Sequence, residues 1–200
     1  MSLKKLKLGV LVSGNGTNLQ AIIDACAANK ISAEVAVVIS NNPKAFALER
    51  AKKHHIPVLV AEGPGLEAEI LKGLKEYHVD LVCLAGFMKI LSPGFIKEWP
   101  QKIINIHPAL LPAFPGLHAQ KQALDAGAKV TGATVHFVDE GCDTGPIILQ
   151  KNVLVLEEDT LETLTQKILE AEHQIYPEAI QKIANGELKL AGRRVIRNKK

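Results

Sequence analysis

Short, almost wholly apolar runs alternating with segments of helical spacing restrict this chain more than any other feature. "LKLGVLV" (Leu6 to Val12) precedes "NLQAIIDACAAN" (Asn18 to Asn29), an amphipathic helix. "AEVAVVIS" (Ala33 to Ser40) leads to "KAFALERAKKHH" (Lys44 to His55), and "PVLVA" to "LEAEILKGLKEYH". "DLVCLAGF" (Asp80 to Phe87) and "KIINIH" (Lys102 to His107) add two more strands. A strand that is apolar on both faces must be covered on both, so the pattern predicts a parallel sheet between helix layers. After Gly116 the pattern changes. "KVTGATVHFV" (Lys129 to Val138) and "PIILQKNVLVL" (Pro146 to Leu156) read as a long antiparallel pair. A last helix runs from about Thr160 to Ala184, and Pro177 is expected to interrupt it. The fold class is therefore α/β, a mostly parallel sheet with an antiparallel C-terminal portion. At 47% hydrophobic and 4% aromatic, 200 residues suffice for one aliphatic core, and no linker or repeat divides them.

The formal charge of +3 is local, because Arg193, Arg194, Arg197, Lys199 and Lys200 crowd the last eight residues and leave the remainder slightly acidic. No aromatic interleaves with them, which points to a solvated, frayed tail rather than a nucleic-acid surface. Cys26, Cys83 and Cys142 are far apart and odd in number, against a disulfide framework and for a reducing compartment. The basic then apolar start resembles a signal peptide, but Ser13 and Gly14 cut the apolar run short. No stretch has the length of a bilayer span. A cytoplasmic protein without membrane or nucleic-acid partners is expected.

Ligands of such sheets collect at the carboxyl ends of strands, and three features fall there. "SGNGTNLQ" (Ser13 to Gln20) joins the first strand to the first helix, where free amides favour an anion. Leu19 stands where a dinucleotide fingerprint needs its third glycine, and "SNNP" after the second strand offers no carboxylate to a ribose. A terminal phosphate held by amides, the Thr17 hydroxyl and the Asn18 amide fits better than NAD; a plain capped turn is the alternative. In "NIHPALLPAFPG" (Asn105 to Gly116), the period of two points Asn105 and His107 the same way, about 7 Å apart. An asparagine amide can donate to a developing oxyanion, and a histidine can carry a proton near neutral pH. Equally, His107 can be structural, donating to a backbone carbonyl. "DEGCDTGP" (Asp139 to Pro146) is long for a hairpin loop, and Asp143 within it can sit beside His107 and favour its imidazolium. In the last helix, Glu172 lies in the apolar stripe Leu161, Leu164, Ile168, Ile175. There it either borders a ligand such as an amine or is paired within the fold.

"NIHPALLPAFPG" followed by "HFVDEGCDTGPIILQ" resembles the folate-dependent formyltransferase family, as do "GVLVSGNGTNLQAIIDAC", "LAGFMKILSP" and "EHQIYP". The resemblance covers nearly the whole chain and implies a Rossmann-like three-layer fold. It implies one formyltransferase domain, 1–200, with a nucleotide and phosphate half (1–108), a folate and catalytic-loop half (109–192) and a basic tail (193–200). Sister enzymes carry an added regulatory domain or barrel, for which no room is expected here. The activity implied is transfer of a formyl group from 10-formyltetrahydrofolate to the primary amine of glycinamide ribonucleotide, in purine synthesis. By resemblance, Asn105, His107 and Asp143 are catalytic. Gly16, Thr17 and Asn18 hold the phosphate, and Glu172 with the Glu170 region receives the glycinamide end. Met88, Lys89, Ile90 and Leu91 line the pterin pocket with Asn105 and the loop Asp139, Glu140, Gly141, Cys142, Asp143. His118 and His136 support the site. No metal is implied, and a monomer or homodimer is expected. The chain departs from relatives at "EGPGLEAEI", which lacks an arginine for the folate tail, at Gln120 in place of a histidine, and at Lys89 in place of an arginine. The rival readings are a formyltetrahydrofolate hydrolase and a non-catalytic nucleotide-binding module.

Overall fold

The computed structural model describes residues 5–198. Five parallel strands form its centre: β1 (Leu6–Val12), β2 (Ala33–Ser40), β3 (Val58–Val60), β4 (Leu81–Leu84) and β5 (Ile103–His107). Two antiparallel strands, β6 (Val130–Phe137) and β7 (Ile147–Leu154), complete a seven-stranded sheet of order β3-β2-β1-β4-β5-β6-β7. The chain steps outward from β1 to β3, then returns to lay β4 on the other side of β1. That reversal opens a crevice at the carboxyl ends of β1 and β4, the place where doubly wound sheets bind ligands.

Strand alternation divides the core. Leu8, Val10 and Val12 of β1, with Cys83, Ile104 and Val135, pack under α1 (Thr17–Ala27), α2 (Phe46–Lys53) and α6 (Leu161–Ala184). Leu11, Val82, Leu84 and Ile103 point to the other layer, where α3 (Leu66–Glu76) and α4 (Pro93–Glu98) contribute Ile70, Leu74 and Phe95. Asn105 and His107 share a strand face with Ile103. On β6 the alternate residues Ala133, Val135 and Phe137 join the α6 layer, leaving Thr134 and His136 on the face of Asn105 and His107. Register then sets Asn105 opposite His136 and His107 opposite Thr134. Each fully buried aliphatic side chain contributes about 1.5–3 kcal/mol, so these two layers stabilise the frame that carries the site.

Several elements differ from expectation. Helix α6 runs unbroken through Pro177, because Ile175, Tyr176, Ala179 and Ile180 around it are buried and packing outweighs one lost backbone bond. The Tyr176 hydroxyl donates to the Leu84 and Ile104 carbonyls and ties this part of α6 to β4 and β5. The stretch expected to fray instead folds: β9 (Arg194–Arg197) pairs with β8 (Leu188–Ala191), and Leu190 and Val195 pack on the core. Lys199 and Lys200 lie outside the described residues. Short helices α4 and α5 (Ala119–Asp125) were not anticipated. Among the described residues, no helix is long and apolar enough to cross a membrane.

Candidate active site

The loop after β1 is shaped by Gly16, which caps α1 at φ 73°. A Cβ there would stand 2.6 Å from the Ala47 Cβ and 2.8 Å from its Cα. The carbonyls of Ser13, Gly14 and Asn15 accept in turn from Asn42 Nδ2, Ala47 N and Arg50 Nε, all donors on α2 or the turn before it. The first amides of α1 have no partners within their own helix. Gly16→Ala combines a left-handed backbone with a clash against α2, and is expected to destabilise the fold by about 2 kcal/mol or more in urea denaturation.

Asn18 is buried, and its side chain does not open toward an anion. Its Nδ2 donates to Glu172 Oε2 at 2.7 Å, so only its backbone amide remains for the phosphate role expected of it. Glu172 is 4% exposed on the core side of α6. Burial pushes its carboxyl up to about 7, against the smaller lowering effect of the Asn18 bond. Among the described residues it has no salt-bridge partner. Glu170, two positions earlier and so near the opposite side of the helix, is exposed and accepts from Gln166. The structure brings the side chain of Glu172, but not that of Glu170, to Asn18.

At the end of β5, His107 is buried with both ring nitrogens facing oxygens. Nε2 donates to the Phe114 carbonyl at 2.8 Å, and Nδ1 lies 3.3 Å from Asp143 Oδ2. His136 donates from Nδ1 to the Phe137 carbonyl, and its Nε2 lies 3.2 Å from Asn105 Nδ2 and 3.5 Å from Asp143 Oδ1. Asn105 Nδ2 also donates to Asp143 Oδ1 at 3.4 Å. Partial burial alone would raise Asp143, but the His136 contact, the Gly116 N–H at 2.8 Å and the nearby His107 outweigh it and bring the carboxyl to about 2. Asp143 and Phe114 both hold left-handed backbones, at φ 55° and 54°. Such conformations cost non-glycine residues roughly 1–3 kcal/mol and collect at functional sites.

Several groups here were invisible in the sequence. Thr134 donates to the Ala109 carbonyl and accepts from Leu111 N, while Gln150 Nε2 donates to the Leu111 carbonyl and to Thr134. These bonds fold the segment after His107 back so that Phe114 O and Gly116 N reach the histidine and the carboxylate. The alternation of Thr134 with apolar Ala133 and Val135 was the one available signal.

The expected pterin stretch is divided. Met88 and Ile90 are 65% and 83% exposed and Lys89 is exposed, but Leu91 is 5% exposed and packs in the second core layer beside Phe95. Leu91 can meet a ligand only through its backbone, since its side chain follows the period of the core. Met88 N donates to Ser13 Oγ at 2.7 Å, joining this stretch to the glycine loop. Asp139 Oδ1 accepts from Gly141 N and Thr144 Oγ1, Glu140 lies 3.9 Å from Lys97, and Cys142 is exposed beside Asp143. His118 is exposed at the start of α5 and makes no bond to the cluster among the described residues. A cavity of about 860 Å³ between α1 and α6 touches Thr17, Arg50 and His173 but none of Asn105, His107 and Asp143. One of about 520 Å³ borders Asp143, Cys142, Arg193 and Arg194.

The formyl transferase family matches residues 6–180. The chain belongs to that family. Within it the likeness runs to proteins named for phosphoribosylglycinamide formyltransferase. The Escherichia coli enzyme of that name is 44% identical over 191 residues, covering 92% of this chain and 90% of its own. The crystal structure of glycinamide ribonucleotide transformylase 1 from Symbiobacterium toebii superposes with a TM-score of 0.95 at 50% identity, covering 98% of this chain and 95% of that one. The trifunctional purine biosynthetic protein adenosine-3 of Drosophila melanogaster is 50% identical over 93% of this chain. The chain spans only 14% of that protein's length.

Proposed function

We propose that the chain transfers a formyl group from 10-formyltetrahydrofolate to the primary amine of glycinamide ribonucleotide. The convergence of Asn105, His107 and Asp143 beyond the reversal of the sheet carries this reading, together with a glycine-shaped helix start on one side and the buried Glu172 below it. The ribonucleotide phosphate takes the amides of Gly16, Thr17 and Asn18 and the Thr17 hydroxyl. Glu172, held by Asn18, receives the glycinamide end, and the folate lies against the stretch from Met88 and the loop from Asp139 to Asp143.

The neutral amine attacks the formyl carbon, and the carbonyl oxygen becomes an oxyanion. The Asn105 amide donates to it, and the His107 ring does so by exchanging its contact with the Phe114 carbonyl or with Asp143. In the free protein Asn105 Nδ2 lies 3.2 Å from His136 Nε2 and donates to Asp143 Oδ1 at 3.4 Å, long contacts that a full oxyanion can replace. Collapse of the tetrahedral intermediate breaks the bond to N10 of the folate, which leaves with a proton, and the attacking nitrogen loses one. A carboxyl at about 2 stays ionised at neutral pH, so Asp143 acts as the charge partner of His107 and a transient relay rather than a proton store.

Incubation with 10-formyltetrahydrofolate, with and without glycinamide ribonucleotide, tests the proposal by following tetrahydrofolate and formate. Turnover that requires the ribonucleotide is expected. Formate released without it would establish a hydrolase, and no turnover would leave a nucleotide-binding module.

A further inference from the structure

The loop that presents Asp143 is tight in its own right. Asp139 Oδ1 gathers Gly141 N and Thr144 Oγ1 at 3.1 and 2.6 Å. A Cβ on Gly145 would fall 1.7 Å from the Phe137 carbonyl oxygen, closing the base of the loop to any larger residue. These bonds are exposed to water, however, and Asp143 must be kept in a left-handed conformation that its side chain disfavours. A second element touches the loop from outside. The C-terminal hairpin, anchored by Leu190 and Val195, carries Arg193 over it. Arg193 Nη2 donates to the Thr144 carbonyl, and Nη1 lies 4.0 Å from Asp139 Oδ2. One guanidinium thus spans both ends of the segment that holds Asp143, across a cavity lined by Cys142, Asp143, Thr144, Arg193 and Arg194.

We infer that Arg193 is a positioning residue, a tie across the loop from Asp139 to Thr144 that keeps the Asp143 carboxylate between His107 and His136. For its effect on turnover, this rests on the activity proposed above. An exposed pair at 4.0 Å is weak alone. The bond to the Thr144 carbonyl together with the charge on Asp139 holds the loop against local opening.

The amide of Gly116 reads the placement of Asp143 directly, since it donates to Asp143 Oδ2 from another segment. In Arg193→Ala, hydrogen exchange at Gly116 and Gly141 is expected to rise about threefold to tenfold, with amides of β1 unchanged. Arg193→Lys should fall between, keeping the charge but losing the fork. Arg197→Ala, an equal loss of charge on the same hairpin, should leave exchange at wild-type rates. In the transfer assay Arg193→Ala should lower kcat, by no more than the factor by which exchange rises, and leave the KM for the ribonucleotide unmoved. Exchange at Gly116 equal in wild type and Arg193→Ala, or equally raised by Arg197→Ala, would overturn the inference. A wild type without transferase activity would remove the kinetic arm and the functional reading, while exchange still decides whether the tie exists.

Discussion

His107→Ala is expected to lower turnover by about 10²- to 10⁴-fold, the range for losing an acid–base group or an oxyanion donor. The ring faces the Phe114 carbonyl at 2.8 Å and Asp143 at 3.3 Å, and one of these contacts must be exchanged for the oxyanion in the proposed transfer. Removing the ring also frees the Phe114 carbonyl and leaves a partly buried carboxylate facing one histidine instead of two, so the variant must be shown by thermal melting to fold. Asn105→Ala should follow at about 10²-fold, since His136 and Asp143 remain in place. Asp143→Asn separates binding from chemistry. Turnover should fall while the ribonucleotide binds as before, because Asp143 bonds to His107, His136 and Gly116 and not to the glycine loop. If turnover survived in His107→Ala, the histidine would be a structural donor to Phe114 and no more. Asp143 also contributes to stability in acid. Its pKa is lowered from 3.8 to about 2, so its stabilising contribution is present above pH 3.8 and is lost as pH falls through 2.

The frame of the site was legible in the residues because strand patterns are local. The bounds of β1 and β2 follow the apolar runs, and the common face of Asn105 and His107 follows from a period of two. What was hidden depended on distance or on groups that have no letter. Asp143 is 38 residues from the asparagine it touches, and Asn18 is 154 from the glutamate that captures its side chain. The carbonyl of Phe114 and the amide of Gly116 belong to backbone that any residue supplies. Helices α4 and α5, six and seven residues long, are too short to display a helical period. Strand β9 reads "RVIR", four residues with charged ends and no alternation to signal a strand. Pro177 misled for the opposite reason: a strong local preference was overruled by buried neighbours.

Glu172→Gln should act in opposite directions on stability and on binding. The folded-state pKa of Glu172 is raised from 4.5 to about 7, so it is the neutral carboxyl that suits the fold. Its stabilising contribution is complete below pH 4.5 and is lost as pH rises through 7, at a cost approaching roughly 3 kcal/mol in alkaline solution. Glutamine has nearly the same shape and no charge to desolvate. It can accept from Asn18 Nδ2 as the carboxyl does, and its own amide can donate to Asn18 Oδ1, a buried acceptor now without a partner. Thermal melts should therefore show the variant level with the wild type at pH 5 and above it at pH 8.5, by roughly 5–10 °C for a chain of this size. Over the same change the KM for glycinamide ribonucleotide should rise by about tenfold or more, as a charge-assisted bond to the amine end is lost. A residue kept only for architecture would show the stability gain without the binding loss. A melting point below wild type at pH 8.5 would mean that the folded protein solvates this carboxylate after all, and the buried site below the crevice would lose its claim on the amine.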